Sequence, residues 1–180
     1  MISVGLDLSL TGTGYAILKT GLCPSVGLIK SKPNGDKPLH ETQRIVKIAE
    51  EVMEEIDRLT PYAKPDLVVI EGLAFMARNT HSLVQLAGLN YLIRALLNQF
   101  EWPFIIVAPT TLKKFITGKG NSDKNIVMMN IYRDYSQEFI DDNIADAFAL
   151  AAFGMALKGE PLRTLTVPQK ETLELIRKQL

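Results

Sequence analysis

Asp7 closes the first apolar run of the chain, and Glu71 closes a second, Leu67-Val68-Val69-Ile70-Glu71. Asp142 and Asp146 lie four apart in a helical segment. Carboxylates placed where buried strands end tend to converge, and such a cluster is costly unless a cation neutralises it. Hard divalent ions such as Mg²⁺ take oxygen ligands of this kind. These residue types in this pattern point to a two-metal centre for phosphodiester cleavage.

Each carboxylate also has a plainer reading. Asp7 at a strand end could be a turn residue. Asp141 and Asp142 at the opening of a helix could be caps stabilised by its dipole. Asp146 escapes that reading because it lies inside an apolar helix, where an uncompensated charge is costly. Glu71 likewise ends a strand too apolar to accept a charge without cause. Taken together, the four favour metal.

The elements that must position them follow from hydrophobic periodicity. Ile2 to Leu8 reads as a strand, Thr11-Gly12-Thr13-Gly14 as a turn and Tyr15 to Leu18 as a second strand, so the chain opens on a hairpin. Val26 to Ile29 is a third strand, and the stretch from Ser31 to Pro38 is a loop. Residues 40–59 form an amphipathic helix with Ile45, Ile48, Ala49, Val52, Ile56 and Leu59 on one face. Leu67 to Ile70 follows as a buried strand, residues 81–100 as a helix and Phe104 to Val107 as a last strand. Helices near 122–133, 142–157 and 169–178 complete the chain. This order suits an α/β architecture, a mixed five-stranded sheet flanked by helices. Residues 1–160 are expected to form one domain, with 161–180 a tail carrying a short helix that belongs to it.

The helix over 81–100 is apolar almost all round, whereas a helix on one face of a sheet needs only one apolar stripe. A second buried face implies either a partner helix in a homodimer, with Gly88 allowing close approach, or cover from elsewhere in the same chain.

With 180 residues, 47% of them hydrophobic, the chain can bury a sizeable core. Its apolar stretches are too short for a transmembrane helix, and the N-terminus has neither a basic n-region nor a cleavage site. Cys23 is the single cysteine, which excludes an intramolecular disulfide and suits a reducing cytoplasm. His40 and His81 read as structural, and Trp102 before Pro103 as packing. Twenty basic residues balance twenty acidic ones, against the basic excess usual for nucleic-acid proteins. Distribution matters more than the sum. Lys113, Lys114, Lys119 and Lys124 crowd into one segment, which taken alone could equally be a solvated basic loop.

Several motifs carry a resemblance. Asp7-Leu8-Ser9-Leu10-Thr11-Gly12-Thr13-Gly14-Tyr15 resembles the opening of the RuvC-type Holliday junction resolvases, where a catalytic Asp precedes a Thr-Gly-Tyr turn. Glu71-Gly72-Leu73-Ala74-Phe75-Met76-Ala77-Arg78-Asn79 is similar to their second block. Thr111-Leu112-Lys113 and Ser122-Asp123-Lys124 resemble two DNA-contacting lysines of the family, and Asp146-Ala147-Phe148-Ala149-Leu150-Ala151 its closing helix. The resemblance covers residues 1 to about 157, and it implies a ribonuclease H-like fold.

The resemblance implies a homodimeric endonuclease that nicks four-way junctions and related branched DNA in pairs, leaving 5′-phosphate and 3′-hydroxyl ends. Two Mg²⁺ ions about 4 Å apart, with Mn²⁺ as a substitute, would share Asp7, with Glu71, Asp142 and Asp146 completing their shells. Lys124 would approach the scissile phosphate, and Lys113 would grip the backbone with Lys114, Lys119 and Arg78 nearby. Phe75 would wedge between bases; ordinary core packing is its other reading. The family's third carboxylate usually stands three residues before the last, where this chain has Asn143. Asp142, four before Asp146, projects from the same helix face and is the better ligand. This departure, with one extra residue between Glu71 and the aromatic, suggests a phage-encoded relative. Alternatives are a nuclease of this fold acting on RNA or RNA–DNA hybrid, and an actin-like or sugar-kinase ATPase.

Overall fold

The computed structural model describes residues 1–33, 37–73 and 80–179. Five strands make a single sheet: β1 (Ile2–Asp7), β2 (Gly12–Lys19), β3 (Ser25–Lys30), β4 (Leu67–Glu71) and β5 (Phe104–Val107). Their order is β3-β2-β1-β4-β5. The first three pair antiparallel, while β4 and β5 join parallel to β1. The sheet is therefore mixed, as the order of elements predicts. Because β1 and β4 run parallel, their C-terminal residues Asp7 and Glu71 meet at one edge of the sheet.

Period-two alternation sends the two halves of β1 to opposite cores. Val4 and Leu6 join Tyr15 and Ile17 against α1 (Pro38–Leu59) and α2 (Thr80–Gln99). Ser3, Gly5 and Asp7 face the other way, toward α5 (Asp142–Leu157). Around α5 lie α3 (Pro109–Thr117), α4 (Lys124–Tyr135) and α6 (Val167–Arg177), which bury Leu112, Phe115, Ile116, Val127, Ile131 and Leu173 in the second core. In α6, the Gln169 side-chain amide donates to the Phe115 carbonyl at 3.0 Å.

Three expectations need correction. Gly12, Thr13 and Gly14 belong to β2, and the turn is the earlier segment from Leu8 to Thr11. The Thr13 hydroxyl closes it, donating to the Ser9 carbonyl at 2.8 Å and accepting from the Ser9 amide at 3.1 Å. A side-chain clamp thus ends the turn at Thr11 and lets the strand begin earlier.

The second correction concerns Lys113 and Lys114, which stand on helix α3 rather than in a loop. Pro109 at its first turn and Gly118 in the left-handed conformation (φ 82°) after its last residue were the available start and stop signals.

The third concerns the helix covered twice. That helix is α5, buried along nearly its whole length from Ala145 to Leu157 between the sheet and the outer helices. In α2 only Leu89, Asn90, Ile93 and Leu97 are buried, while Val84 and Tyr91 are 65% and 64% exposed. The alternative of intrachain cover for α2 is therefore not what the described residues supply. His81 does prove structural, joining Glu41 of α1 at 2.9 Å.

Candidate active site

Three elements converge on one point. β1 delivers Asp7, β4 delivers Glu71, and α5 delivers Asp146. The approach of α5 is a matter of small residues. A Cβ on Gly5 would fall on the Ala147 carbonyl oxygen and the Ala151 amide, and one on Gly14 would strike the Asn143 carbonyl. Without side chains there, the helix backbone lies directly on β1 and β2. The Ser3 hydroxyl then donates to the Ala151 carbonyl at 2.9 Å. Asp146, one residue before this contact, is thereby held within electrostatic reach of Asp7 and Glu71.

The electrostatics carry the mark of that crowding. Burial, then the charges of Glu71 and Asp146, push the Asp7 carboxyl up to about 9. Its proton is donated to Glu71, whose own carboxyl is raised by burial and by Asp146, against the opposing pull of this hydrogen bond and of Lys124 and Lys113. Asp146 is raised by burial, with Lys124 and Lys113 opposing. Three carboxyls thus share a site that resists their full ionisation.

Asp142 behaves differently. Its carboxylate pairs with the Lys124 ammonium, which holds it below the usual carboxylate range. The cap of α5 is Asp141, whose side chain accepts from the Asn143 amide at 2.9 Å. Asp142 is thus not the cap that its position suggested. Nor does it sit among the inner three; its charge acts on Asp146 alone of them, while the Lys124 it holds acts on Asp7, Glu71 and Asp146 alike. The Asn143 amide nitrogen lies instead over Gly12, at 3.4 Å from where a Cβ would stand.

Lys113 of α3 also faces the cluster, acting on Glu71 and Asp146. The turn that sets the two lysines is built by Thr117, which accepts from the Lys119 amide at 3.1 Å and bonds the Ser122 hydroxyl at 2.7 Å. Lys114 is half-buried and Lys119 exposed, and neither is among the largest influences on the three carboxyls. Phe75 and Arg78 lie outside the described residues.

The donor set suits hard divalent cations, since all the inner ligands are carboxylate oxygens. In the present arrangement no three acidic or histidine side chains among the described residues enclose a point where one ion could sit. Asp7 and Glu71 instead turn to each other through a shared proton. A cation would offset the burial and the mutual charge that raise these carboxyls, and on that chemistry the residues fit it.

Sequence reasoning missed Arg44. From α1 its guanidinium donates to the Leu10 carbonyl, and its Nε to the Ser31 hydroxyl at 2.9 Å. It therefore pins the loop that follows Asp7. One arginine on the polar face of an amphipathic helix carries no signal of that role.

Comparison with known proteins agrees with this geometry. Residues 3–153 match the family model for crossover junction endodeoxyribonuclease RuvC. The protein of that name from Synechococcus sp. (strain WH7803) is 29% identical over 158 residues, spanning 84% of this chain and 96% of its own. That from Brachyspira hyodysenteriae (strain ATCC 49526 / WA1) is 26% identical over 151 residues, spanning 84% of this chain and 91% of its own. These relatives are bacterial and lend no support to the expected phage origin. Among solved structures, Thermus thermophilus RuvC in complex with Holliday junction substrate superimposes with a TM-score of 0.68 at 20% identity, over 84% of this chain and 90% of that one. The fold is thus shared, and with residues 3–153 matched this chain belongs to the RuvC family of crossover junction endodeoxyribonucleases.

Proposed function

We propose that this protein is a metal-dependent endonuclease that resolves four-way DNA junctions by paired nicks, leaving 5′-phosphate and 3′-hydroxyl ends. The observation that carries this reading is the convergence of Asp7, Glu71 and Asp146 at the C-terminal edge of the sheet, in a chain of this family. Asp7, Glu71 and Asp146, with Asp142 beside them, would hold two Mg²⁺ ions, or Mn²⁺ in their place. When bound, these ions would lower the pKa of an attacking water and stabilise the leaving oxygen.

The chain's own residues do the rest. Asp7 and Glu71 would give the proton they share to solvent as cations bind, which would ready their oxygens as ligands. Lys124, freed from Asp142, offers its ammonium to a non-bridging oxygen of the scissile phosphate. Lys113 positions the backbone beside it. Arg44 keeps the loop after Asp7 in register with the strand.

The assembly we propose is a homodimer, because a four-way junction has two-fold symmetry that an isologous pair matches. Its support lies in α2. Val84, Gly88, Tyr91 and Ala95 are all exposed, at spacings of four, three and four. That is the seam spacing of packed helices. The tail belongs with the domain on the support of α6, whose Leu173 is buried in the core around α5. No helix among the described residues is long and apolar enough to cross a membrane, and a DNA substrate suits the cytoplasm.

Family membership sets aside the ATPase alternative. Incubation with a mobile four-way junction, with and without Mg²⁺, should give symmetric nicks mapped on sequencing gels. Preferential cutting of RNA–DNA hybrid over the junction would transfer the activity to the other nuclease class.

A further inference from the structure

Lys113 and Lys124 flank the carboxylates on the β5 side, but the sheet edge extends equally far the other way. β3 runs parallel to β1, so its last residue, Lys30, comes to the same edge as Asp7. Lys30 pairs with Gly12 of β2, and Asp7 pairs with Gly14. Two strand spacings, about 9–10 Å, therefore separate β3 from the acidic residue. Lys30 alternates with Ile29, which enters the core beneath α1; the lysine falls on the α5 face, where the carboxylates are.

Beyond Lys30 the chain rounds the edge of the sheet and meets α1. There an open groove of about 230 Å³ is lined by Ser31, Lys32, Gln43, Arg44, Lys47 and Glu51. Three cations face one carboxylate. Glu51 is itself engaged by Lys47 at 3.7 Å, and among the described residues Lys30 and Lys32 form no ion pair. Arg44 is held by its bonds to Leu10 and Ser31, so its guanidinium has a set place in the groove beside the Lys32 and Lys47 side chains. Glu54 and Glu55 join Glu51 in the adjoining groove beside Lys30, so the basic excess is concentrated at Lys32, Arg44 and Lys47, where a polyanion would find it.

We infer that Lys30, Lys32, Arg44 and Lys47 form a phosphate-binding track that carries a second segment of DNA backbone away from the cleavage point, over the β3 edge and along α1. The inference rests on the junction-resolving reading and adds to it. A duplex gripped only at α3 and α4 is held on one side of the scissile phosphate, whereas this track grips the far side. Backbone contacts on both sides fix the register of the strand without reading its bases. Arg44 links the track to the catalytic loop, because the guanidinium that lines the groove also holds the Leu10 carbonyl.

The test is binding of a fluorescent four-way junction in EDTA, so that no strand is cut, across a salt series. Lys32→Ala/Lys47→Ala should weaken the junction roughly tenfold and make the plot of log K against log salt shallower by about two. Its melting temperature should match wild type. Lys32→Arg/Lys47→Arg should restore both affinity and slope, since guanidinium replaces ammonium at a phosphate. An unchanged slope in the alanine variant, with wild-type protein preferring the junction to linear duplex, would overturn the track alone. Wild-type protein that does not distinguish junction from duplex would bring down the junction reading first, and the track with it.

Discussion

Asp7 cannot be comfortable as an anion in this fold without a cation beside it. Its carboxyl stands raised from 3.8 to about 9, chiefly by burial and then by Glu71 and Asp146. A carboxyl raised by folding binds its proton more tightly in the native state, so native stability is greatest below the unfolded value and is lost as pH climbs through this window. Metal-free protein should therefore melt at falling temperature from about pH 4 to pH 9. Asp146→Asn removes one of the charges that raise Asp7 and Glu71. At pH 8 in EDTA it should melt higher than wild type by roughly 2–4 °C, for about 1 kcal/mol of relieved repulsion. Mg²⁺ should raise the melting temperature of wild type more as pH rises, and that of Asp146→Asn little. Parallel melting curves for the two proteins across this range would separate Asp146 from the cluster.

The neighbouring pair offers a second comparison. Asp142 holds Lys124, while Asn143 lies over Gly12. If Asp142 both carries Lys124 and joins the metal shell, Asp142→Asn should raise the Mg²⁺ requirement and cut cleavage at least tenfold, at an unchanged melting temperature. Asn143→Ala should be mild. A severe Asn143→Ala beside a harmless Asp142→Asn would exchange their roles.

The contact between α5 and the first two strands decides whether the acidic residues meet at all. Gly5 and Gly14 leave no room for a Cβ under the helix backbone. Gly5→Ala should push α5 outward and cost about 1–3 kcal/mol, the usual range for overpacking. Because Asp146 travels with the helix, cleavage should fall further than the loss of stability explains, even at temperatures where the variant is fully folded. Thermal melting alongside cleavage at 20 °C checks this; activity lost only in proportion to unfolded protein would make the contact purely structural. The same contact explains why Asp146 was recognisable in advance. A carboxylate set inside an apolar, Ala-rich helix loses much of its solvent, and a charge partner is what justifies it.

The molecule as a whole presents the proposed catalytic edge between Lys113 and Lys124 on one side and the proposed track on the other, with an exposed face of α2 elsewhere. A protein that cuts opposed strands of one junction needs two such edges. The exposed Val84, Gly88, Tyr91 and Ala95 seam should supply the contact. Gly88→Arg fills the closest approach with a charge, and sedimentation should then report a monomer where wild type is a dimer at micromolar concentration. Junction cutting should fall to single, uncoupled nicks. Wild-type protein that sediments as a monomer both free and with DNA would end the dimer proposal.

Much of this was legible in the chain. The α5 span of 142–157 and the β5 span of 104–107 could be read from run length and flanking breakers, because a sixteen-residue apolar stretch suits a helix and a four-residue one after Pro103 a strand. Asp7 and Glu71 stood out because charge at the end of an apolar run is expensive, Asp146 because it lies inside an apolar helix, and Asp142 by its spacing from Asp146. What periodicity could not convey was which elements lie over which. It left open whether a partner or the same chain covers the second face of the helix over 81–100, since apolar residues all round look the same in either case. Only the tertiary structure showed that the helix covered on both sides within the chain is α5, by the sheet and by α3, α4 and α6, while α2 keeps apolar residues exposed. It alone put Lys113 and Lys124 over the acidic residues, turned Asp142 toward Lys124, and made Arg44 the pin of the Asp7 loop. Each of these is a meeting of residues distant in sequence, and a local pattern records only what a residue needs, not which partner the fold brings to it.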